Sequence, residues 1–252
     1  MTTTLIPLVP DSSVEVRRTG PSRTTLIGLE MRKSLSHRSG KAFALSAALL
    51  GPIGVALAAT DATFGWVAGP IGMVGSMTGL VLVALGVVST AGEWTHRTVQ
   101  TTFLLVPDRG RVLVAKSVAV AVLGAALAAV AAVLSLAIVA AVGADGLSWD
   151  GAGQAMATAV GTGAAFSVIG AGVGAAMANT PAALTTLYLL IMGVLPMVRM
   201  WNPELGEWLD PAHATMLLAQ GEAETRSLVA IGGWMAVASA AGWILTSRRA
   251  VQ

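Results

Sequence analysis

Apolar residues run in long uninterrupted blocks along this chain, and the charged residues fall between the blocks. No Asp, Glu, Lys or Arg occurs in residues 42–60, 62–92, 117–144, 151–198 or 227–247. An α-helix rises about 1.5 Å per residue, so about 20 apolar residues cross a hydrocarbon layer about 30 Å thick. Four of the blocks fit one crossing each. The block from Gly151 to Val198 is long enough for two. Its turn is expected at Ala178-Asn179-Thr180-Pro181, because proline disfavours helix at the preceding residue and suits the first turn of a new one. The pattern predicts six transmembrane helices, at about 42–60, 69–91, 117–142, 153–177, 181–198 and 227–247. Ala, Leu, Val and Gly fill the blocks without the polar–apolar alternation of barrel strands. The expected fold class is an all-α membrane protein.

Composition agrees. Of 252 residues, 55% are hydrophobic and 11% charged, with a mean hydropathy of +0.75. Soluble domains carry about 25% charged residues, so a soluble enzyme, a disordered chain and a nucleic-acid-binding module are all poor readings. The net charge of +2 implies no polyanion partner. The chain has no cysteine, which excludes disulfides, thiolate metal sites and cysteine nucleophiles.

The few charges also orient the chain. Arg17, Arg18, Arg23, Arg32, Lys33, Arg38 and Lys41 precede the first span. Arg97, Arg109, Arg111 and Lys116 follow the second, and Arg248 and Arg249 follow the sixth. With six spans these 13 of the 15 cations share one side, leaving only Arg199 and Arg226 on the other. The positive-inside rule makes that side cytoplasmic, with both ends of the chain there. A five- or seven-span arrangement would split the clusters. Residues 1–22, rich in Thr, Ser and Pro, are expected to form a flexible cytosolic arm rather than a signal peptide, since the apolar run Leu5–Val9 is too short for one. Residues 23–252 then form the membrane domain. Twelve of the fifteen cations are Arg, a bias expected of a GC-rich bacterial genome.

Residues 23–40 read as a short helix lying in the membrane interface. Ile27, Met31 and Leu35 share one face, while Glu30, Lys33 and His37 share another, with Arg32 adding to the basic character. The plainer alternative is a basic flank that orients the first span. From Glu93 to Val106 the chain can continue as helix; Pro107-Asp108-Arg109-Gly110 is a turn signal, and helix resumes from Arg111 to Lys116. Such a helical excursion can pass force to a partner protein, or it can be a solvated loop.

The segment 199–226 carries Glu204, Glu207, Asp210, Glu222 and Glu224, with Trp201 and Trp208 suited to headgroup depth. Asp210-Pro211 reads as an N-cap and first helical residue, and Gly221 as a stop. Two short helices broken at Pro211 are expected, dipping along the outer leaflet as a re-entrant segment. Glu204, Glu207, Asp210 and His213 recur every three residues, but Pro211 interrupts the helix that would align them as metal ligands.

Charged groups inside a membrane are costly and usually functional, and the expected spans hold none. This weakens a proton-coupled transporter, a voltage sensor and an intramembrane metalloprotease. His37, His96 and His213 all lie outside the spans, so no Ser/His/Asp arrangement forms within them. Ser39-Gly40-Lys41-Ala42 lacks the first glycine and the magnesium-binding hydroxyl of a P-loop. Any energy for work must come from another chain. Gly75/Gly79 and Gly170/Gly174 have the spacing that lets helices approach closely, within the chain or between chains. Pro52, Pro70 and Pro196 are expected to kink or loosen their spans.

This layout resembles the type-2 ATP-binding-cassette (ABC) transporter permeases, over nearly the whole chain from about residue 23. The most specific strings are Gly92-Glu93-Trp94-Thr95-His96-Arg97-Thr98-Val99-Gln100-Thr101-Thr102, then Leu104 to Arg111, then Ala115-Lys116. Glu93, Trp94, Thr98, Leu105, Pro107, Arg109 and Lys116 match the family's pattern. Thr95 stands where Arg is common, and Arg97 where Gly is common. The resemblance implies a permease subunit of an exporter, without catalytic residues, cofactor or metal of its own. It implies a second permease chain and a cytosolic ATPase subunit that binds ATP and Mg²⁺. Glu93, Trp94, Arg97, Thr98, Pro107, Asp108, Arg109 and Arg111 would carry the coupling contacts, beside the helix bearing Ile27, Glu30, Met31, Arg32, Lys33 and Leu35. Trp201, Trp208, Asp210 and Pro211 would mark the outer segment. The uncharged spans favour an apolar or amphipathic cargo. A stand-alone transporter or channel, and a membrane-embedded scaffold or enzyme, remain the alternatives.

Overall fold

The computed structural model describes residues 21–60, 63–96, 98–106 and 108–249. The expected arm, apart from Pro21 and Ser22, lies outside these residues, as do Arg97 and Pro107. Every element among them is helical: α1 (Arg23–Ser36), α2 (Arg38–Ala58), α3 (Ala68–Thr95), α4 (Val99–Leu105), α5 (Arg109–Val142), α6 (Ala152–Met177), α7 (Thr180–Tyr188), a π-helical stretch (Leu189–Val194), α8 (Leu195–Trp201), α9 (Pro203–Leu209), α10 (Pro211–Ala219) and α11 (Glu224–Arg248). Six helices are long and apolar enough to cross a membrane: α2, α3, α5, α6, the continuous run Thr180–Trp201, and α11. They fall on the six spans expected from the five apolar blocks.

The turn between the fourth and fifth spans falls where the sequence places it. Ala178 adopts a left-handed conformation (φ 51°), and the Asn179 side chain caps α7 by accepting from the Ala182 amide at 3.0 Å. Pro196 leaves the carbonyl four residues earlier without its usual donor. The helix answers by widening: the Leu195 amide reaches back to the Leu190 carbonyl, closing the π-helical stretch just before the proline. Pro52 lies buried inside α2, and Pro70 in the first turn of α3, where it displaces no helical hydrogen bond.

α3 and α6 form the centre of the bundle and run parallel. Added Cβ atoms at Gly86 and Gly170 would lie 2.1 Å from the Ser167 and Val83 carbonyl oxygens respectively, so backbone rests on backbone there. Gly75 and Gly79 face Ala159 and the Phe166 ring, and Gly174 faces Val87 and Thr90. Both glycine pairs of the sequence therefore serve packing within the chain. The Thr90 hydroxyl reinforces the contact by donating to the Ala171 carbonyl at 3.0 Å. α2 and α5 pack on one flank of this pair; α7, α10 and α11 pack on the other. At the end remote from α1, residues 63–67 and 143–151 pair briefly, Val67 donating to the Ser148 carbonyl and Ser148 to that of Gly65, each at 3.0 Å.

Three details differ from the sequence expectation. The first helix stops at Ser36, because His37 is extended (φ −85°, ψ 151°), and α2 starts at Arg38, ahead of residue 42. The helix after Glu93 is not continuous to Val106: α3 stops at Thr95 and α4 begins at Val99, with the Thr98 amide reaching back five residues to the Glu93 carbonyl. α5 starts at Arg109 because the Asp108 carboxylate caps it, accepting from the Arg111 amide at 3.0 Å. Trp234 donates to the Leu209 carbonyl at 2.7 Å, so it braces α11 against α9.

Replacing Gly86 or Gly170 by Val is expected to force α3 from α6 at a cost of about 3 kcal/mol. Gly161→Ala, whose Cβ would meet open space, is the matched control. Thermal unfolding in detergent should show a large loss for the first two and little change for the third.

Candidate functional site

Charges that the sequence scatters over 87 positions meet at the end of the bundle next to α1. Glu30 and Lys33 come from α1, Glu93 from the last turn of α3, and Lys116 from the third turn of α5. Lys116 is the hub: its side chain is 5% exposed, and its ammonium contacts Glu30, reaches Glu93 Oε1 at 3.1 Å and donates to the Ser89 carbonyl at 3.0 Å. Lys33 bridges the same two carboxylates, at 3.0 Å to Glu30 and 2.5 Å to Glu93, and donates to the Thr102 hydroxyl of α4 at 3.4 Å. One cluster thus ties α1, α3, α4 and α5 together.

The cluster revises the face assignment of α1. Leu26 and Glu30 are the buried residues of that helix, while Ile27, Met31 and Leu35 are half-buried and Arg32 is exposed. Glu30 turns inward although it is charged, because two ammonium groups meet it there. Burial pushes its carboxyl up, but Lys116 and Lys33 outweigh burial and hold it below the ordinary value of 4.5. Burial pushes Lys33 down, but Glu93 and Glu30 outweigh that and hold it above 10.5.

Two further cations serve helix ends. α3, α6 and α11 all finish at this same end, and helix C-termini carry partial negative charge and unpaired carbonyls. The Arg249 guanidinium donates to the carbonyls of Ala175 (2.9 Å) and Ala176 (2.5 Å), the last turn of α6, and lies over the Trp94 ring at 5.5 Å. Arg109 donates to the carbonyls of Thr246 (3.3 Å) and Arg249 (2.6 Å), closing α11. Lys116 reaches only an interior carbonyl of α3, that of Ser89, six residues before its end.

The structure places the expected coupling residues as follows. Glu93 joins the ion cluster, Trp94 stacks with Arg249, and Thr98 is exposed and stabilises the break after α3. Asp108 caps α5, Arg109 secures α11, and Arg111 donates to the Pro21 carbonyl at 2.6 Å. Most of these side chains therefore hold the chain itself. Among the described large apolar residues of the excursion, Leu104 on α4 stands out at 83% exposed. Reading the sequence overlooks the part played by Lys116, Arg249 and Thr102. A lone acid three residues before Lys33 in a basic helix was the one local sign of an inward-facing pair.

At the opposite end, Asn202 caps α9 and Asp210 caps α10, accepting from the Ala212 and His213 amides. Asp210 is nearly fully buried and pairs with Arg199 at 3.1 Å; Glu207 pairs with Arg226 at 2.6 Å, and Arg226 lies over Trp208. Two of the four evenly spaced groups are thus committed to arginines. Burial and the charge of Arg199 push the His213 imidazole below its ordinary 6.5, against the pull of Asp210 and Glu207. Trp201 is largely exposed, and Pro211 opens α10.

Lys116→Met removes the hub and leaves two buried carboxylates short of a partner, with an expected loss of about 3–5 kcal/mol. Adding Glu30→Gln should recover part of it, which a double-mutant cycle in thermal unfolding would measure. The pH dependence has a definite sign. Glu30 is lowered on folding, so its contribution is present above pH 4.5 and lost as pH falls through its folded value. Lys33 is raised, so its contribution is present below pH 10.5 and lost as pH rises through its own. Glu30→Gln should flatten the acid limb and weaken the alkaline limb only in part, since Glu93 still holds Lys33. No protein-family model and no curated protein sequence matches the chain.

Proposed function

We propose that this chain is the membrane-spanning permease subunit of an ABC exporter, moving an apolar or amphipathic substrate with ATP hydrolysed by a separate cytosolic ATPase subunit. In this reading a second permease chain completes the transporter. The end bearing α1 and α4 is cytoplasmic, α9 and α10 lie in the outer leaflet region, and the membrane is the plasma membrane of a bacterium.

The observation that carries the reading is α4. It is a seven-residue helix set between two membrane-length helices, projecting Leu104 outward while Thr102 is tied inward to the Lys33 ion cluster. A load applied to α4 passes to α1 through Lys33 and to α3 and α5 through Glu93 and Lys116. The salt bridges and glycine contacts move those helices as one unit rather than letting α4 bend alone. The resemblance of the Gly92–Lys116 strings to the permease family points the same way. ATP and Mg²⁺ belong to the partner chain in this scheme.

Because Asp108 and Arg109 cap and secure helices, replacing them would disturb the fold along with any contact. Leu104→Asp is the cleaner probe, since the leucine is already exposed. It is expected to weaken capture of the cognate ATPase by about tenfold or more, with insertion and thermal stability unchanged. Wild-type ATPase capture and transport in that variant would remove α4 as the contact. ATP-independent, gradient-driven flux by this chain alone in liposomes would overturn the permease reading itself.

A further inference from the structure

At the end of the bundle remote from α1, the segments that enter α3 and α6 are joined by backbone hydrogen bonds. Trp66 lies opposite Ser148; Val67 donates to the Ser148 carbonyl, Ser148 to that of Gly65 and Ala144 to that of Phe64, each at 3.0 Å. Phe64 and Leu147 key this platform to the core around Val67, Ile71 and Val139. Trp66 and Trp149 are instead presented outward, 46% and 54% exposed. The Trp66 ring lies along the first turn of α3, where a Cβ at Gly69 would fall 2.6 Å from it. Neither indole N–H meets an acceptor among the described residues. Asp145 and Asp150 are exposed on the same platform and form no ion pair among those residues; Asp150 accepts the Ser148 hydroxyl at 3.0 Å.

We propose that this platform sits in the ester and headgroup layer of the bilayer and selects phospholipids that carry an ammonium, with the Trp66 and Trp149 indoles among the ester carbonyls and Asp145 and Asp150 at the ammonium groups. Trp66 lies two residues before α3 and Trp149 three before α6, so both stand where a membrane-length helix begins. Met73 and Val142, exposed on nearby turns of α3 and α5, continue the apolar surface from the rings into the span. An indole suits that boundary, because its ring is apolar and its N–H needs an acceptor, which an ester carbonyl supplies. Charge decides the headgroup. The two unpaired carboxylates repel phosphatidylglycerol and attract an ethanolamine or choline ammonium, which the indole faces also favour. Because the platform joins the entries of the two central helices, it sets their depth in the bilayer. The proposal rests on the reading of α3 and α6 as membrane spans and is independent of the ATPase partner.

The test is fluorine NMR of the full chain in nanodiscs, with its seven tryptophans replaced by fluorotryptophan and two resonances assigned through Trp66→Phe and Trp149→Phe. A nitroxide at the ester depth of the lipid should broaden both resonances more than a nitroxide at the chain terminus or a paramagnetic agent in the water. In a mixed bilayer, ester-depth nitroxide on phosphatidylethanolamine should broaden them about fivefold more than the same label on phosphatidylglycerol, the scale of one charge at a membrane surface. Asp145→Asn combined with Asp150→Asn should bring the two lipids close to parity. Strongest broadening by the water-borne agent overturns the platform, and so does shielding from all three probes, which a covering protein would give. Equal broadening by both labelled lipids in the wild type, or an unchanged preference in the double variant, overturns the headgroup selection. Recovery of the chain in the soluble fraction without detergent would remove the membrane reading and the platform with it. Proper insertion with both rings in water would remove the platform alone.

Discussion

Where α3 and α6 cross, Gly86, Gly170 and Gly174 let one backbone lie directly against the other. Helices in a bilayer gain nothing from hiding apolar side chains from one another, since lipid is equally apolar. Close approach supplies the dispersion contacts instead, and only residues without a Cβ permit it at these positions. The remaining spans arrange themselves around that pair, and most keep broad faces open to their surroundings. Because α3 and α6 are parallel, and α11 runs with them, three helix C-termini gather at one end.

That gathering has an electrostatic cost, and the chain meets it with its own cations. Arg249 closes α6, Arg109 closes α11, and Lys116 reaches the interior carbonyl of Ser89 in α3. The cations at this end are thus more than an orientation signal. Two of them, Arg249 and Arg109, neutralise helix ends, and Lys116 binds two carboxylates. The result is a stiff end plate from which α4 projects. Stiffness there matters for the proposed role, because a coupling helix on a compliant loop would absorb the load it is meant to pass on. The cluster is not a large source of stability, since burial of Glu30 and Lys116 offsets much of its attraction. Its value is geometric: the pairs fix where α1 sits relative to α3, α4 and α5.

Local chemistry was legible wherever cause and effect lie close in the sequence. Asp210-Pro211 opens α10 by a cap visible in the residues themselves, and Asn179-Thr180-Pro181 turns the chain between two spans. The break between α3 and α4 was not legible, because Thr95 to Thr98 can all join a helix. At the stop the Thr98 amide returns to the Glu93 carbonyl, and the Glu93 side chain is held by lysines from other elements. The inward turn of Glu30 escaped for the same reason. Taken alone, α1 has an apolar stripe through Ile27, Met31 and Leu35, and the buried face differs only because Lys116 waits beneath it.

The number of spans, their limits to within a few residues and the concentration of cations at one end were determined by the sequence alone. Hydropathy over twenty residues and the sparse placement of charge are properties of the chain itself, and no contact is needed to read them. Which charges pair, which cations close which helix ends, and which side chain of the excursion stands free were decided only by the tertiary structure. Those outcomes depend on residues brought together across as many as 140 positions of sequence separation, as Arg109 and Arg249 are. Pairing at that range is set by the glycine-mediated crossing of α3 and α6 and the helices packed around it, not by any local pattern.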